Sequence, residues 1–131
     1  MVFDTNIFIS ALAIPGGKAE EAYLHAMRGN FILYSSVAIL HETARKLRGK
    51  FGWEENRIAQ LLKAIGKIAT VIKTEPHIHI LADDPDNRVF ECALKAKADL
   101  IVTGDKHLLS LKRFQDIDIV TLSHFLEALS R

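Results

Sequence analysis

Val2-Phe3-Asp4-Thr5-Asn6-Ile7-Phe8 is the stretch from which the fold can be read. Two apolar residues run into an acid, a hydroxyl and an amide, and an apolar run resumes at once. That succession predicts a buried strand, a polar tip and a helix. In an open parallel α/β sheet, ligands bind outside the carboxyl ends of the strands, so an Asp at such a tip faces the place where chemistry occurs. Asp4 or Thr5 can equally serve as the cap of the following helix. Nothing inside the segment separates a cap from a ligand.

The rest of the chain repeats the same grammar. Residues 7–14 are apolar enough for a short helix, which Pro15-Gly16-Gly17 breaks. A second helix over residues 18–28 puts Ala19, Ala22, Tyr23 and Ala26 on one face and ends at Gly29-Asn30. Phe31-Ile32-Leu33-Tyr34 predicts a strand covered on both faces, and Ser35-Ser36 caps a helix reaching about residue 48, with Glu42 in its second turn. Residues 54–67 form another amphipathic pattern, so the two helices predict a hairpin. Residues 69–72 are a β-branched run suited to a third strand, and His77-Ile78-His79-Ile80 reads as an edge strand or a loop. Asp83-Asp84-Pro85-Asp86-Asn87 introduces a helix to about residue 97, and residues 100–103 give a fourth strand. Gly104-Asp105-Lys106 starts a short helix, residues 117–120 form a last strand, and Thr121 or Ser123 caps a closing helix. Alternation of this kind predicts an α/β three-layer sandwich, a central parallel sheet of about five strands flanked by helices, with a helical hairpin inserted. No repeat, linker or low-complexity segment interrupts it, and residues 1–131 read as a single domain.

Composition narrows the function. A chain of 131 residues buries roughly two thirds of the surface its unfolded form exposes and needs no staple. Hydrophobic residues at 49% and charged ones at 25% are those of a soluble globular protein. With a net charge of +1, a polyanion has to be held by a local patch or by metal, because the field of the whole molecule is nearly neutral. The one cysteine, Cys92, has no disulfide partner and sits in the apolar pattern of Val89, Ala93 and Ala96, as a small core residue does. No apolar run of membrane length and no signal peptide is present, so the expectation is a soluble, cytoplasmic protein with no membrane association.

The acids fall in register. Asp4 and Asp105 each follow a predicted strand, Asp86 starts the helix that feeds strand four, and Glu42 lies early in the helix after strand two. All four positions belong to the carboxyl edge of a parallel sheet. Taken singly, Asp86 reads as a cap, Asp105 as a turn residue and Glu42 as a solvated helix acid. Capping does not explain why all four fall on one edge. At ~5 Å and an effective dielectric of ~20, two ionised carboxylates repel by roughly 3 kcal/mol, so either protons stay on or a cation binds. An all-oxygen donor set points to Mg²⁺ or Mn²⁺, and such an ion suits phosphodiester hydrolysis. Thr5, Asn6 and Thr103 are placed to orient the carboxylates.

These residues resemble those of the PIN-domain ribonucleases, of the kind found as VapC-like toxins in toxin–antitoxin pairs. The resemblance covers nearly the whole chain. Its carriers are Asp4-Thr5-Asn6, Glu42, the run from Asp83 to Arg88 leading to Glu91-Cys92-Ala93, and Val102-Thr103-Gly104-Asp105-Lys106-His107-Leu108-Leu109. It implies that Asp4, Glu42, Asp86 and Asp105 are catalytic, metal-binding acids supported by Asn6 and Thr103. It further implies cleavage of RNA with Mg²⁺ or Mn²⁺, a cognate antitoxin partner and a homodimer. Asp86 is preferred to Asp84 because it directly precedes Asn87 and the helix. The first strand departs from the family pattern in being very short.

Among the cations, Arg88 and Lys106 adjoin expected ligands and are candidates for substrate phosphate. Arg45 and Lys46, followed by Arg48 and Lys50, offer a second phosphate contact or simply a solvated helix face. His77 and His79 have chelating spacing but lack a third soft ligand, and a polar edge accounts for them. His107 reads first as a helix-start residue; Phe51 and Trp53 either stack a base or close the hairpin. The competing function is a receiver-like signalling module, which also gathers acids, a Thr and a Lys around Mg²⁺, but needs an acceptor Asp after strand three where this chain has Lys73-Thr74. A catalytically inactive scaffold of the same fold is the third reading.

Overall fold

The computed structural model describes residues 1–130. The chain runs β1 (Val2–Phe3), α1 (Thr5–Ala13), α2 (Lys18–Met27), β2 (Leu33–Ser36), α3 (Val37–Gly49), α4 (Glu55–Ile68) and β3 (Ala69–Ile72). It continues through α5 (Asp84–Ala96), β4 (Leu100–Val102), α6 (Lys106–Ser110), β5 (Arg113–Phe114), β6 (Ile117–Val120) and α7 (Leu122–Leu129). The strands form one sheet in the order β3-β2-β1-β4-β6-β5, flanked by helices. Every pairing is parallel except that of β5 with β6.

β1 is short, and its neighbours fix it from both sides. Val2 lies opposite Tyr34 of β2 and Ile101 of β4, and Phe3 lies opposite Val102. Successive residues of a strand point to opposite faces, and Val2 and Phe3 are both fully buried, so both faces of the sheet are covered here. Phe3 packs against Phe8, Phe31 and Phe125 at ring-centroid distances of 5.8, 5.9 and 6.3 Å. α5 lies across β1, β2 and β4, while α3 meets α1, α4 and α5. That packing brings the first half of α3 to the strand tips.

Among the described residues, the sheet has six strands rather than about five. The sixth, β5, forms a hairpin with β6 through Gln115, whose φ is 53°, and is preceded by Lys112 at φ 59°. Neither position is a glycine, so no turn signal announces it. β2 lies two residues later than its apolar run suggests. Ser35 and Ser36 continue the strand opposite Val71 and Ile72, and Ser36 also caps α3 by accepting from the Ile39 amide at 3.1 Å. Phe31 leaves the strand for the aromatic cluster, 5.2 Å from Phe125. The His77–Ile80 alternation is loop, not edge strand. The helical hairpin is α3 and α4, in which Trp53 carries Arg57 at 3.6 Å above its ring.

Candidate functional site

From β1 the sheet extends through β2 to β3 on one side, and the chain then crosses back from β3 to β4, beyond which β6 and β5 extend the other side. The reversal falls between β1 and β4, and ligands of open α/β sheets bind in the crevice that such a switch opens at the carboxyl ends. Asp4 follows β1 and Asp105 follows β4, so they flank it.

Asp4 is 4% exposed and caps α1. Its Oδ1 accepts from the Asn6 amide at 2.8 Å and the Ile7 amide at 3.3 Å, while Oδ2 accepts from the Thr103 hydroxyl. One oxygen thus anchors the helix, and the other faces Thr103. The same Thr103 oxygen accepts from the Asp105 amide at 3.0 Å, so a single buried hydroxyl ties the two strand tips together. Asp105 in turn caps α6, accepting from His107 at 2.8 Å and Leu108 at 3.1 Å through Oδ1. Thr5 is buried in the first turn of α1, and Asn6 is exposed beside it, accepting from Lys46 Nζ at 3.3 Å.

Asp86 bears the electrostatic consequence. Burial and then the charges of Asp105, Asp83 and Asp4 push its carboxyl up to about 7, against a smaller opposing effect of Lys46. Among the described residues, its Oδ2 is buried without a hydrogen-bond partner. Burial likewise raises the Asp4 carboxyl, partly offset by Thr103 and the two capping amides. A cavity of about 190 Å³ opens beside Asp86, which lines it with Leu81, Ala82, Asp83 and His107.

Glu42 is placed differently. It is largely buried, and both its oxygens accept from Arg45, at 2.9 Å from Nε and 2.6 Å from Nη2. Arg45 itself is mostly exposed and also feels the charge of Asp83. Among the described residues, no three His, Cys, Asp or Glu side chains are gathered tightly enough to form a ready-made metal cage. The donor chemistry nevertheless fits a hard divalent ion: oxygen ligands only, mutual repulsion, and a buried Asp86 oxygen without a partner. Lys106 is exposed at the start of α6. Arg88, a candidate for substrate phosphate because it adjoins an expected ligand, is instead turned inward, donating to the Ile78 carbonyl at 3.0 Å and lying 2.8 Å from Glu91.

Sequence reasoning gave no role to Asp83, which joins the charges around Asp86, or to Glu91, a fully buried acid in the apolar stripe of α5. The signal for Glu91 was available: a carboxylate between Val89 and Phe90 on one side and Cys92 and Ala93 on the other has no place in an apolar stripe without a partner. Cys92 is a core thiol, fully buried, with its pKa pushed up to about 12 by burial.

The sequence matches the PIN domain family over residues 1–107. The chain belongs to the PIN-domain family. Proteins with PIN domains are nucleases that generally use divalent metal ions. An uncharacterized protein of the archaeon Methanocaldococcus jannaschii is 35% identical over 117 residues, which span 86% of this PIN-domain chain and 74% of that protein. Among solved structures, the fold is similar to a chain of VapBC2 from Rickettsia felis, a complex bound to a DNA fragment from its promoter. The TM-score is 0.61 at 15% identity, covering 92% of this chain and 98% of that one. Among the described residues, no helix is long and apolar enough to cross a membrane.

Proposed function

We propose that this PIN-domain chain is a metal-dependent endoribonuclease that hydrolyses RNA phosphodiester bonds. We further propose that it is the toxin of a toxin–antitoxin pair, with a cognate antitoxin and a homodimeric assembly. The observation that carries the enzymatic reading is Asp86, whose unpartnered buried oxygen and raised pKa mark a group of acids lacking its counter-charge. The likeness in fold to a VapBC2 chain supports the toxin role.

Asp4, Asp86 and Asp105 would hold Mg²⁺ or Mn²⁺, with Glu42 as the fourth acid once its pairing with Arg45 is exchanged for the ion. A divalent ion bound there lowers the pKa of an attacking water and neutralises charge developing at phosphorus. Thr103 fixes Asp4 and the backbone of Asp105 in register, so neither carboxylate has to be ordered when substrate arrives. The Lys46 ammonium, beside Asn6 and acting on both Asp4 and Asp86, is placed to meet a non-bridging phosphate oxygen. Arg45 and Lys106 stand exposed at the rim for the flanking phosphates of the strand.

The receiver-like alternative loses ground on topology. In receiver folds strand three adjoins strand one. Here β3 lies outside β2, at the sheet edge and away from Asp4. Incubating the purified protein with labelled RNA, with Mg²⁺ or Mn²⁺ and with chelator, tests the proposal. Metal-dependent cleavage is expected; absence of cleavage together with absence of ion binding by titration calorimetry would refute it.

A further inference from the structure

Residues 73–83 form neither helix nor strand, so the backbone amides and carbonyls of this segment must find partners outside a ladder. Side chains of one face of α5 supply them. Glu91 Oε2 accepts from the His77 amide at 2.6 Å and the Ile78 amide at 2.8 Å. Its Oε1 lies 2.8 Å from Arg88 Nε, an ion pair, and Arg88 Nη2 donates to the Ile78 carbonyl at 3.0 Å. One turn earlier Asn87, also fully buried, grips Leu81 from both sides. Its Oδ1 accepts from the Leu81 amide at 3.0 Å and its Nδ2 donates to the Leu81 carbonyl at 2.9 Å.

A buried carboxylate–guanidinium pair is a poor way to gain stability, because apolar residues of similar shape do as well or better. What the charged pair does, and an apolar pair cannot, is bind the backbone at a stated place. The segment it binds carries Leu81, Ala82 and Asp83, which line the cavity together with Asp86 and His107. Asp86 immediately precedes Asn87. We infer that Glu91, with Arg88 and Asn87, is a positioning clamp that holds the backbone of His77, Ile78 and Leu81 against α5, and thereby sets where Asp83 stands beside Asp86 and how Asp86 faces the cation. This inference rests on the metal-binding reading given above.

Glu91→Gln keeps the shape of the side chain and removes the charge. By hydrogen exchange, the amides of His77 and Ile78 should lose protection by about tenfold or more, while those of Ile101 and Val102 stay unchanged. Mn²⁺ affinity by titration calorimetry should fall by about tenfold, the usual effect of removing a group that orients a ligand. The double variant Glu91→Leu/Arg88→Met guards against simple unfolding. The double variant leaves no buried charge unpaired, so it should still unfold in one cooperative thermal transition and keep the protection of Ile101 and Val102, while Mn²⁺ affinity stays low; that split is one a merely structural role does not produce. If either variant binds Mn²⁺ as tightly as the parent protein, the clamp is refuted and the nuclease reading stands. If the parent binds no Mn²⁺, both fall together.

Discussion

The two edges of the sheet carry acids in similar number and treat them in opposite ways. At the amino-terminal edge a shallow cavity of about 730 Å³ is lined by Ile32, Tyr34, Lys97, Asp99, Arg113 and Asp118, among others. Its acids are exposed, and Arg113 reaches Asp116 at 3.8 Å and Asp118 at 3.6 Å. At the carboxyl-terminal edge the cavity is about 190 Å³, yet Asp4 is buried, Asp86 is half-buried, and the charges acting on Asp86 are mostly other carboxylates. The larger hollow is electrostatically settled and the smaller one is not. Unmet charge, rather than volume, separates the two as places for chemistry.

Substitutions at matched acids should expose that contrast. Asp4→Asn and Asp105→Asn keep the helix caps, since Asn caps as well as Asp, and should leave the thermal transition nearly unchanged. Cleavage of RNA should nevertheless fall by about a thousandfold, measured as initial rates on a labelled oligonucleotide, because the cation loses a charged ligand. Next in size is Thr103→Val, which is similar in shape but removes the hydroxyl shared by Asp4 and Asp105. We expect a loss of about 1–3 kcal/mol in a denaturant titration and a tenfold to hundredfold drop in rate, roughly the cost of an unpaired buried group and of a lost orienting contact.

The third prediction concerns pH. The folded, metal-free protein keeps the Asp86 proton up to about pH 7, whereas the unfolded chain releases it near the ordinary value of 3.8. A carboxyl raised in this way favours the folded state at low pH. Stability from this group is therefore lost as pH rises from about 4 to about 7, by ~1–2 kcal/mol once solvent screening of a half-exposed group is allowed for. Mn²⁺ must displace that proton. Calorimetry in buffers of different ionisation heat should find close to one proton released per ion at pH 6 and little at pH 8. Equal release at both pH values would contradict the assignment. The smallest effect is expected at the opposite edge: Asp118→Asn removes an exposed partner of Arg113 and should change stability by less than about 0.5 kcal/mol, with cleavage unaltered.

Much of this was legible in the sequence because local chemistry and topology agree. The run from Val2 to Phe8 announces strand, tip and helix, and the tip is where the sheet reverses direction. Apolar runs located β1, β3, β4 and β6, whose boundaries coincide with simple turn and cap signals. β5 escaped because its turn uses Lys112 and Gln115 at positive φ rather than glycine, and Phe114 gains its place only by stacking on Phe90 at 4.7 Å. The edge positions of Asp4, Asp86 and Asp105 could be read because each follows a strand or opens a helix. The pairing of Glu42 with Arg45 could not be read, since a helix places residues three apart side by side whether or not they then separate for a ligand. Arg88 and Glu91 were misjudged or missed for a related reason: their partners are backbone groups of a loop, and no side-chain pattern advertises those.

We propose that the acids at the carboxyl edge form a metal-dependent RNA-cleaving centre. Mapping of cleavage sites on total RNA, with the parent protein and Asp4→Asn prepared side by side in Mg²⁺ or Mn²⁺, tests it most directly. Discrete cuts are expected with the parent protein, and they should vanish in chelator and in Asp4→Asn. Cuts of equal strength in both proteins, or none in either, would contradict it.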